Sequence, residues 1–274
     1  MERFSANGAE FEYETIGSGE PLVLVHGSII GDAFAPLLQE RALTSHFQVT
    51  NYHRRGFNGS SRHSGPCSIG QQAADALAVI QHVAGGRAHV AGHSYGAVTA
   101  LQLALDAPGA VHSLALLEPP LAVPSAEAFF ANLPPIAGMY ESGDRPGAIE
   151  TFSVLVMGEG CAEAIDRNLA PGWFEQAVSD SDTFFQVEVP ALGEWMFGAD
   201  EAGRITQPVL SVVGENSAQF FREGHELLQQ LFPQAETFIL PGATHALQMQ
   251  NPRPLAEALA GFLARHPMRE AAVA

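Results

Sequence analysis

A serine hydroxyl is a weak nucleophile until a neighbouring base takes its proton, so serine chemistry needs a histidine held nearby. The segment Gly92-His93-Ser94-Tyr95-Gly96 provides the first half of that arrangement. An apolar run over 88–91 precedes it and a helix-like segment over 97–105 follows, which puts Ser94 on a tight strand-to-helix turn. Glycines two residues to either side remove the Cβ atoms that would clash in such a turn. The free N–H groups of the helix start then face whatever reacts at the serine.

Eleven histidines could supply the base. His245 is the best placed, in Pro241-Gly242-Ala243-Thr244-His245 between the last expected strand and the last helix. His46, His63, His82, His112, His225 and His266 read as surface or structural residues. His89 and His93 are four apart, but the serine turn separates them, so they form no helical metal pair. No H-E-x-x-H and no clustered Cys/His spacing occurs, and neither a metal nor a cofactor is expected. Acyl transfer also needs donors where negative charge develops on the carbonyl oxygen. The Tyr95 N–H at the helix start is one candidate, and the Ser28 N–H, in the loop after His26-Gly27, is the other.

These residues depend on the elements that carry them. Strands are expected over 3–6 and 9–16, joined by the hairpin signal Asn7-Gly8, and over 21–25, 47–52, 88–91, 111–117, 208–213 and 237–240. Helices are expected over 32–43, 68–83, 97–105, 220–231 and 254–265, the second with Ile69, Ala73, Leu77 and Ile80 on one face. Such alternation implies an α/β fold with a mostly parallel sheet covered on both faces. Ligands in these sheets sit beyond the carboxyl ends of the strands. His26, Ser94, Glu118, Ser217 and His245 all follow strands and so share one rim.

The stretch from 121 to 203 does not alternate. It reads as short helices broken by Pro134-Pro135, Gly143, Pro171-Gly172 and Pro190, rich in large apolar residues such as Phe129, Phe130, Phe152, Trp173, Phe184 and Trp195. The expected organisation is a core of 1–120 and 204–266, a helical lid over 121–203, and a C-terminal tail over 267–274. Lid aromatics that face the rim would line an apolar pocket.

Composition narrows the chemistry. All 13 cations are arginine, which excludes lysine Schiff bases, the P-loop lysine and Ser–Lys dyads. Thirty acidic residues bring the formal charge to -17, which disfavours nucleic acid and anionic membrane surfaces as partners. Hydrophobic residues make up 46% and charged residues only 16%, below the usual quarter, as a sizeable core requires. Cys67 and Cys161 fit a reducing compartment, with a single disulfide left open. With no apolar leader after Met1-Glu2-Arg3-Phe4, a cytoplasmic protein is expected, acting on a small molecule as a monomer or homodimer.

His26-Gly27, Arg55-Gly56 with the serines after it, Gly92-His93-Ser94-Tyr95-Gly96 and Gly242-Ala243-Thr244-His245 occur in the order found in the α/β-hydrolase fold superfamily. From about Gly8 to Phe262 the chain resembles its small capped bacterial esterase-like members. The resemblance implies Ser94 as nucleophile, His245 as base, Ser28 and Tyr95 as oxyanion donors, and a serine hydrolase acting on carboxylic esters. Dehalogenases and epoxide hydrolases of this fold carry aspartate in place of the serine. The chain departs from the pattern at one position: Ser217 stands where the superfamily usually places its acid, and a serine cannot balance an imidazolium. Glu118, after the sixth strand, is the expected acid, and Glu215 is the second candidate. The alternatives are a carbon–carbon bond hydrolase, in which Ile29-Ile30 would replace a glycine-rich continuation, and a non-catalytic binding member of the fold.

Overall fold

The computed structural model describes residues 1–268. Eight strands form one sheet: β1 (Glu2–Ala6), β2 (Ala9–Ile16), β3 (Glu20–Val25), β4 (Phe47–Tyr52), β5 (Ala88–His93), β6 (Val111–Leu117), β7 (Val209–Gly214) and β8 (Glu236–Leu240). Their order is β1-β2-β4-β3-β5-β6-β7-β8, antiparallel at the β1–β2 and β2–β4 pairings and parallel throughout the rest. The expected α/β class, with a mostly parallel sheet between two helical layers, is what the chain adopts.

Both faces are buried because side chains alternate across the sheet. Val23, Val25, Val90, Leu114 and Leu116 pack under the helices Ile69–Ala84, Tyr95–Asp106 and Gln219–Leu231. Leu22, Leu24, Ala91, Leu117 and Val212 face Phe34, Leu37, Leu255, Leu259 and Phe262 on the other side. Each fully buried leucine or valine contributes about 1.5–3 kcal/mol, so these two layers hold the strand ends rigidly. Ser68 caps its helix by accepting the Gln71 N–H at 3.1 Å, and Gly85 ends it at φ 63°.

Several local expectations are corrected. The helix expected over 32–43 is two short helices, Ala35–Leu38 and Arg41–Thr44, with Glu40 extended at ψ 109°. In one continuous helix Leu43 would lie about 140° around from Leu38; the break returns it to the buried side with Leu37 and Leu38. Pro134-Pro135 does not break a helix but opens Leu133–Glu141, where a missing N–H costs nothing. Pro190 likewise sits in the first turn of Val189–Glu194, which continues directly from a π-helical turn over Thr183–Glu188. Cys67 and Cys161 are buried and unpaired. Of the expected tail, Met268 donates its N–H to Glu20 Oε1 at 2.8 Å; positions 269–274 lie outside the described residues.

Between β6 and β7, residues of the non-alternating stretch fold as short helices. Phe129, Phe130, Phe152 and Phe184 from this insertion share a cavity wall with Ser28 and Ser94 on the sheet rim. No helix among the described residues is long and apolar enough to cross a membrane.

Candidate active site

β5 delivers Ser94 directly into the helix Tyr95–Asp106 with no intervening loop. The turn forces Ser94 to φ 53° and ψ -123°, a conformation that L residues avoid and that costs on the order of 1–3 kcal/mol. The flanking glycines permit it. A Cβ on Gly92 would sit 2.5 Å from the Gly96 carbonyl oxygen, and one on Gly96 would collide with the carbonyls of Val25 and His26. The Ser94 N–H is anchored to the Leu117 carbonyl at 2.8 Å, which ties the turn to the end of β6. Tyr95 is the first helical residue, so its N–H has no helical carbonyl behind it and stays free for the cavity. Its side chain is buried, with the phenol accepting from Gln72 Nε2 at 3.3 Å, and burial pushes its pKa up.

The β3 loop approaches from the other side. Ile30 donates its N–H to the Ser28 carbonyl at 2.8 Å around Ile29, which is held at φ 59°, an outlying angle for a β-branched residue. Asp32 fixes this loop by taking a hydrogen bond from Asn58 Nδ2 and another from His53 Nε2, each at 2.8 Å. His53 Nδ1 meets Glu12 at 2.9 Å. Burial opposes charge on His53, but its bonds to and the charges of Asp32 and Glu12 outweigh it and raise the imidazole pKa.

Glu118, one residue past β6, is also strained, at φ 49°, and is only 2% exposed. A buried carboxylate costs several kcal/mol unless its lone pairs are matched. Glu118 Oε1 accepts the Gly214 N–H at 2.7 Å and the Ser217 hydroxyl at 2.5 Å, and Oε2 lies 2.5 Å from His245 Nδ1. The structure thus brings Ser217 and Glu118 together: the hydroxyl where an acid usually stands donates to the acid on the neighbouring strand. Glu215 turns away and accepts the Gly242 N–H at 2.8 Å.

His245 is held on every side. The Phe221 ring stacks on it at 3.7 Å between centroids and 9° between planes. The His245 carbonyl accepts from His93 Nε2 at 2.9 Å, while His93 Nδ1 accepts from Gln248 Nε2 at 3.0 Å. Burial, then the neighbouring His245, drive the His93 pKa well below the ordinary value, so it acts as a neutral brace with a fixed tautomer. Phe221, Gln248 and the bracing role of His93 are not legible in the sequence. Only the adjacency of His93 to Ser94 marked any of them.

Ser28, Ser94, Tyr95 and His245 open into one cavity of about 290 Å³. The rest of its wall includes six phenylalanines, Phe129, Phe130, Phe152 and Phe184 from the insertion and Phe220 and Phe221 from the helix after β7. Glu188, whose side chain is fully buried and paired with Arg54, is also among the residues around the cavity. No group of His, Cys, Asp or Glu among the described residues has the arrangement of a metal site.

A parallel sheet whose rim carries a strained serine turn and a histidine–carboxylate pair defines the α/β-hydrolase class of site. The chain belongs to the alpha/beta hydrolase family, whose model matches residues 22–258. It is 37% identical over 110 residues to a putative carbamate hydrolase RutD of Azorhizobium caulinodans, an alignment covering 40% of this chain and 41% of that protein's length. It is 26% identical over 261 residues to a pimeloyl-[acyl-carrier protein] methyl ester esterase of Aeromonas salmonicida, covering 91% of this chain and 98% of that one. A thermophilic esterase from Thermogutta terrifontis superposes with a TM-score of 0.82 over 97% of this chain and 100% of that one, at 20% identity, which establishes likeness of fold.

Proposed function

We propose that the protein is a serine hydrolase that cleaves a carboxylic ester of a small, largely apolar molecule. Ser94 Oγ attacks the carbonyl carbon while His245 Nε2 takes its proton. Glu118 holds the imidazole by Nδ1 and balances the imidazolium that forms. The Tyr95 and Ser28 N–H groups receive the developing oxyanion. His245 then returns the proton to the departing alkoxide, leaving an acyl group on Ser94. Water, activated by His245, attacks that ester, and collapse of the second tetrahedral intermediate releases the acid and restores Ser94. Residues 121–203 serve as a lid whose phenylalanines exclude water and receive the apolar part of the substrate.

The observation that carries this reading is the pairing of Glu118 with His245 at 2.5 Å beside a serine held at φ 53°. Strain at Ser94 and burial of Glu118 both cost stability, and a hydrolytic role accounts for the two together. Kinship with a methyl ester esterase along nearly the whole chain supports the ester as the bond cleaved. The test is turnover of p-nitrophenyl butyrate by the wild type and Ser94→Ala. Loss of nearly all turnover in the variant is expected; equal rates in the two proteins would refute the reading.

A further inference from the structure

Arg54, in the loop after β4, is a buried arginine only 2% exposed. Its Nε donates to the His26 carbonyl at 2.9 Å and its Nη2 to the Gly27 carbonyl at 2.8 Å. Nη1 donates to Gln72 Oε1, and Nη2 also lies 2.5 Å from Glu188 Oε1. The guanidinium therefore grips the two peptide units that lead into Ser28. Its charge is balanced from the insertion by Glu188, which is fully buried.

The grip on Gly27 bears on the Ser28 N–H. The Gly27 carbonyl and that N–H belong to one planar trans peptide unit, so fixing the carbonyl on one side fixes the N–H on the other. The same carbonyl faces His26 Nδ1 at 2.8 Å. His26 Nε2 accepts the Arg54 N–H at 2.9 Å, so the ring proton sits on Nδ1 and donates to Gly27. Burial, then the Arg54 charge, drive the His26 pKa well below its ordinary value and keep the ring neutral. Two donors thus occupy the Gly27 carbonyl. The Ser28 N–H, by contrast, has no protein acceptor among the described residues, and Ser28 lines the cavity with Ser94. The peptide lies against the nucleophile, since a Cβ on Gly27 would sit 3.0 Å from Ser94 Cβ.

An ion pair that only docked the insertion could be replaced by two apolar side chains, which carry no charge to desolvate. The bonds to the His26 and Gly27 carbonyls give the charged pair a second task. We propose that Arg54, balanced by Glu188, is a positioning residue that holds the Gly27–Ser28 peptide with its N–H aimed at the developing oxyanion. The inference rests on the ester-hydrolase reading above. A cationic donor on the carbonyl also polarises the peptide unit and strengthens its N–H as a donor. Glu188 ends the π-helical turn Thr183–Glu188, which is fastened to the loop that carries Arg54: Thr183 Oγ1 donates to the Gly56 carbonyl at 2.8 Å. Seating of the insertion and aim of the oxyanion donor are thereby joined.

The test compares p-nitrophenyl butyrate with its thionoester, in which sulfur replaces the carbonyl oxygen. Each rate is divided by that of hydroxide on the same compound. Sulfur is a weak acceptor, so the thionoester gains little from oxyanion donors. The wild type is expected to favour the oxygen ester by about ten-fold or more on this scale. Arg54→Met combined with Glu188→Leu replaces the buried pair by apolar side chains of similar size, a change that folds often tolerate. In this double variant kcat for the oxygen ester should fall about ten-fold or more, short of the roughly 10²–10³ lost when a donor is removed outright. The thionoester should change by less than about three-fold, whereas a general defect of the site would slow both substrates alike. If a thermal melt shows the double variant unfolded, Arg54→Lys keeps a charge for Glu188 but not the planar fork, and should show the same selective loss at about three-fold. Equal losses on the two substrates in a folded variant, no loss, or a wild type without preference for oxygen overturns the proposal. Fluorophosphonate labelling of Ser94 in the wild type separates the two levels. Labelling without a selective loss removes only the role of Arg54, whereas no labelling removes the ester-hydrolase reading and the inference with it.

Discussion

Replacing Glu118 by glutamine should disable the site through a single tautomer. Glu118 Oε1 faces two donors, the Gly214 N–H at 2.7 Å and the Ser217 hydroxyl at 2.5 Å. In Glu118→Gln the amide oxygen must stay with those donors, which leaves its NH2 against His245 Nδ1. Nδ1 then has to accept, the ring proton moves to Nε2, and the nitrogen proposed to take the Ser94 proton no longer can. The counter-charge for the imidazolium is lost in the same step. Where an acid of this kind has been neutralised without moving it, kcat falls by roughly 10⁴, or about 5.4 kcal/mol at 1.36 kcal/mol per decade. The assay is kcat for p-nitrophenyl butyrate, with a thermal melt to confirm that the variant is folded. Glu215→Gln is the control, since Glu215 only accepts the Gly242 N–H, and it should stay within roughly two-fold of wild type. A folded Glu118→Gln protein that keeps a tenth or more of wild-type kcat would refute the assignment of the acid.

Ser217→Ala removes one of the two donors on Glu118 Oε1 and leaves the Gly214 N–H, so kcat should fall roughly ten-fold, far short of the loss in Glu118→Gln; a loss of 10³ or more would mean that Ser217 does more than hold the acid. His53 should make stability depend on pH. Its folded pKa is raised above the unfolded value near 6.5, so its contribution is full below about pH 6.5 and disappears as pH rises through the folded value. His53→Gln should therefore cost about 1–2 kcal/mol at pH 6, discounted because the Asp32 side chain is 44% exposed, and much less at pH 9. Urea midpoints of both proteins at the two pH values give the comparison, and a gap that does not narrow would contradict the charged His53.

Much of this architecture was legible in the chain because the signals are local. Continuous apolar runs such as 21–25 and 114–117 can be satisfied only inside a sheet covered on both faces, and the serine turn follows from glycine spacing between an apolar run and a helix-like segment. The break at Gln39–Glu40 was hidden because only the core, not the local pattern, decides where Leu43 must point. Pro134-Pro135 misled in the same way, since a proline pair marks a boundary without saying which side of it is helical. At the site, Glu118, Ser217 and Gly214 meet because β6 and β7 are neighbours in register, with Leu117 opposite Val212. That pairing is a tertiary fact, and no spacing along the chain encodes it. Arg54 and Glu188 are 134 residues apart and become partners only when the insertion folds onto the loop after β4.

The proposed mechanism stands or falls on the activation of Ser94 by His245 and Glu118. Mass spectrometry after brief exposure to a fluorophosphonate tests it directly, because no substrate has to be chosen. Rapid addition of one phosphonyl group is expected, on the peptide containing Ser94, with labelling much slower in Glu118→Gln. A folded wild type that stays unlabelled, or one labelled at another residue, would contradict it.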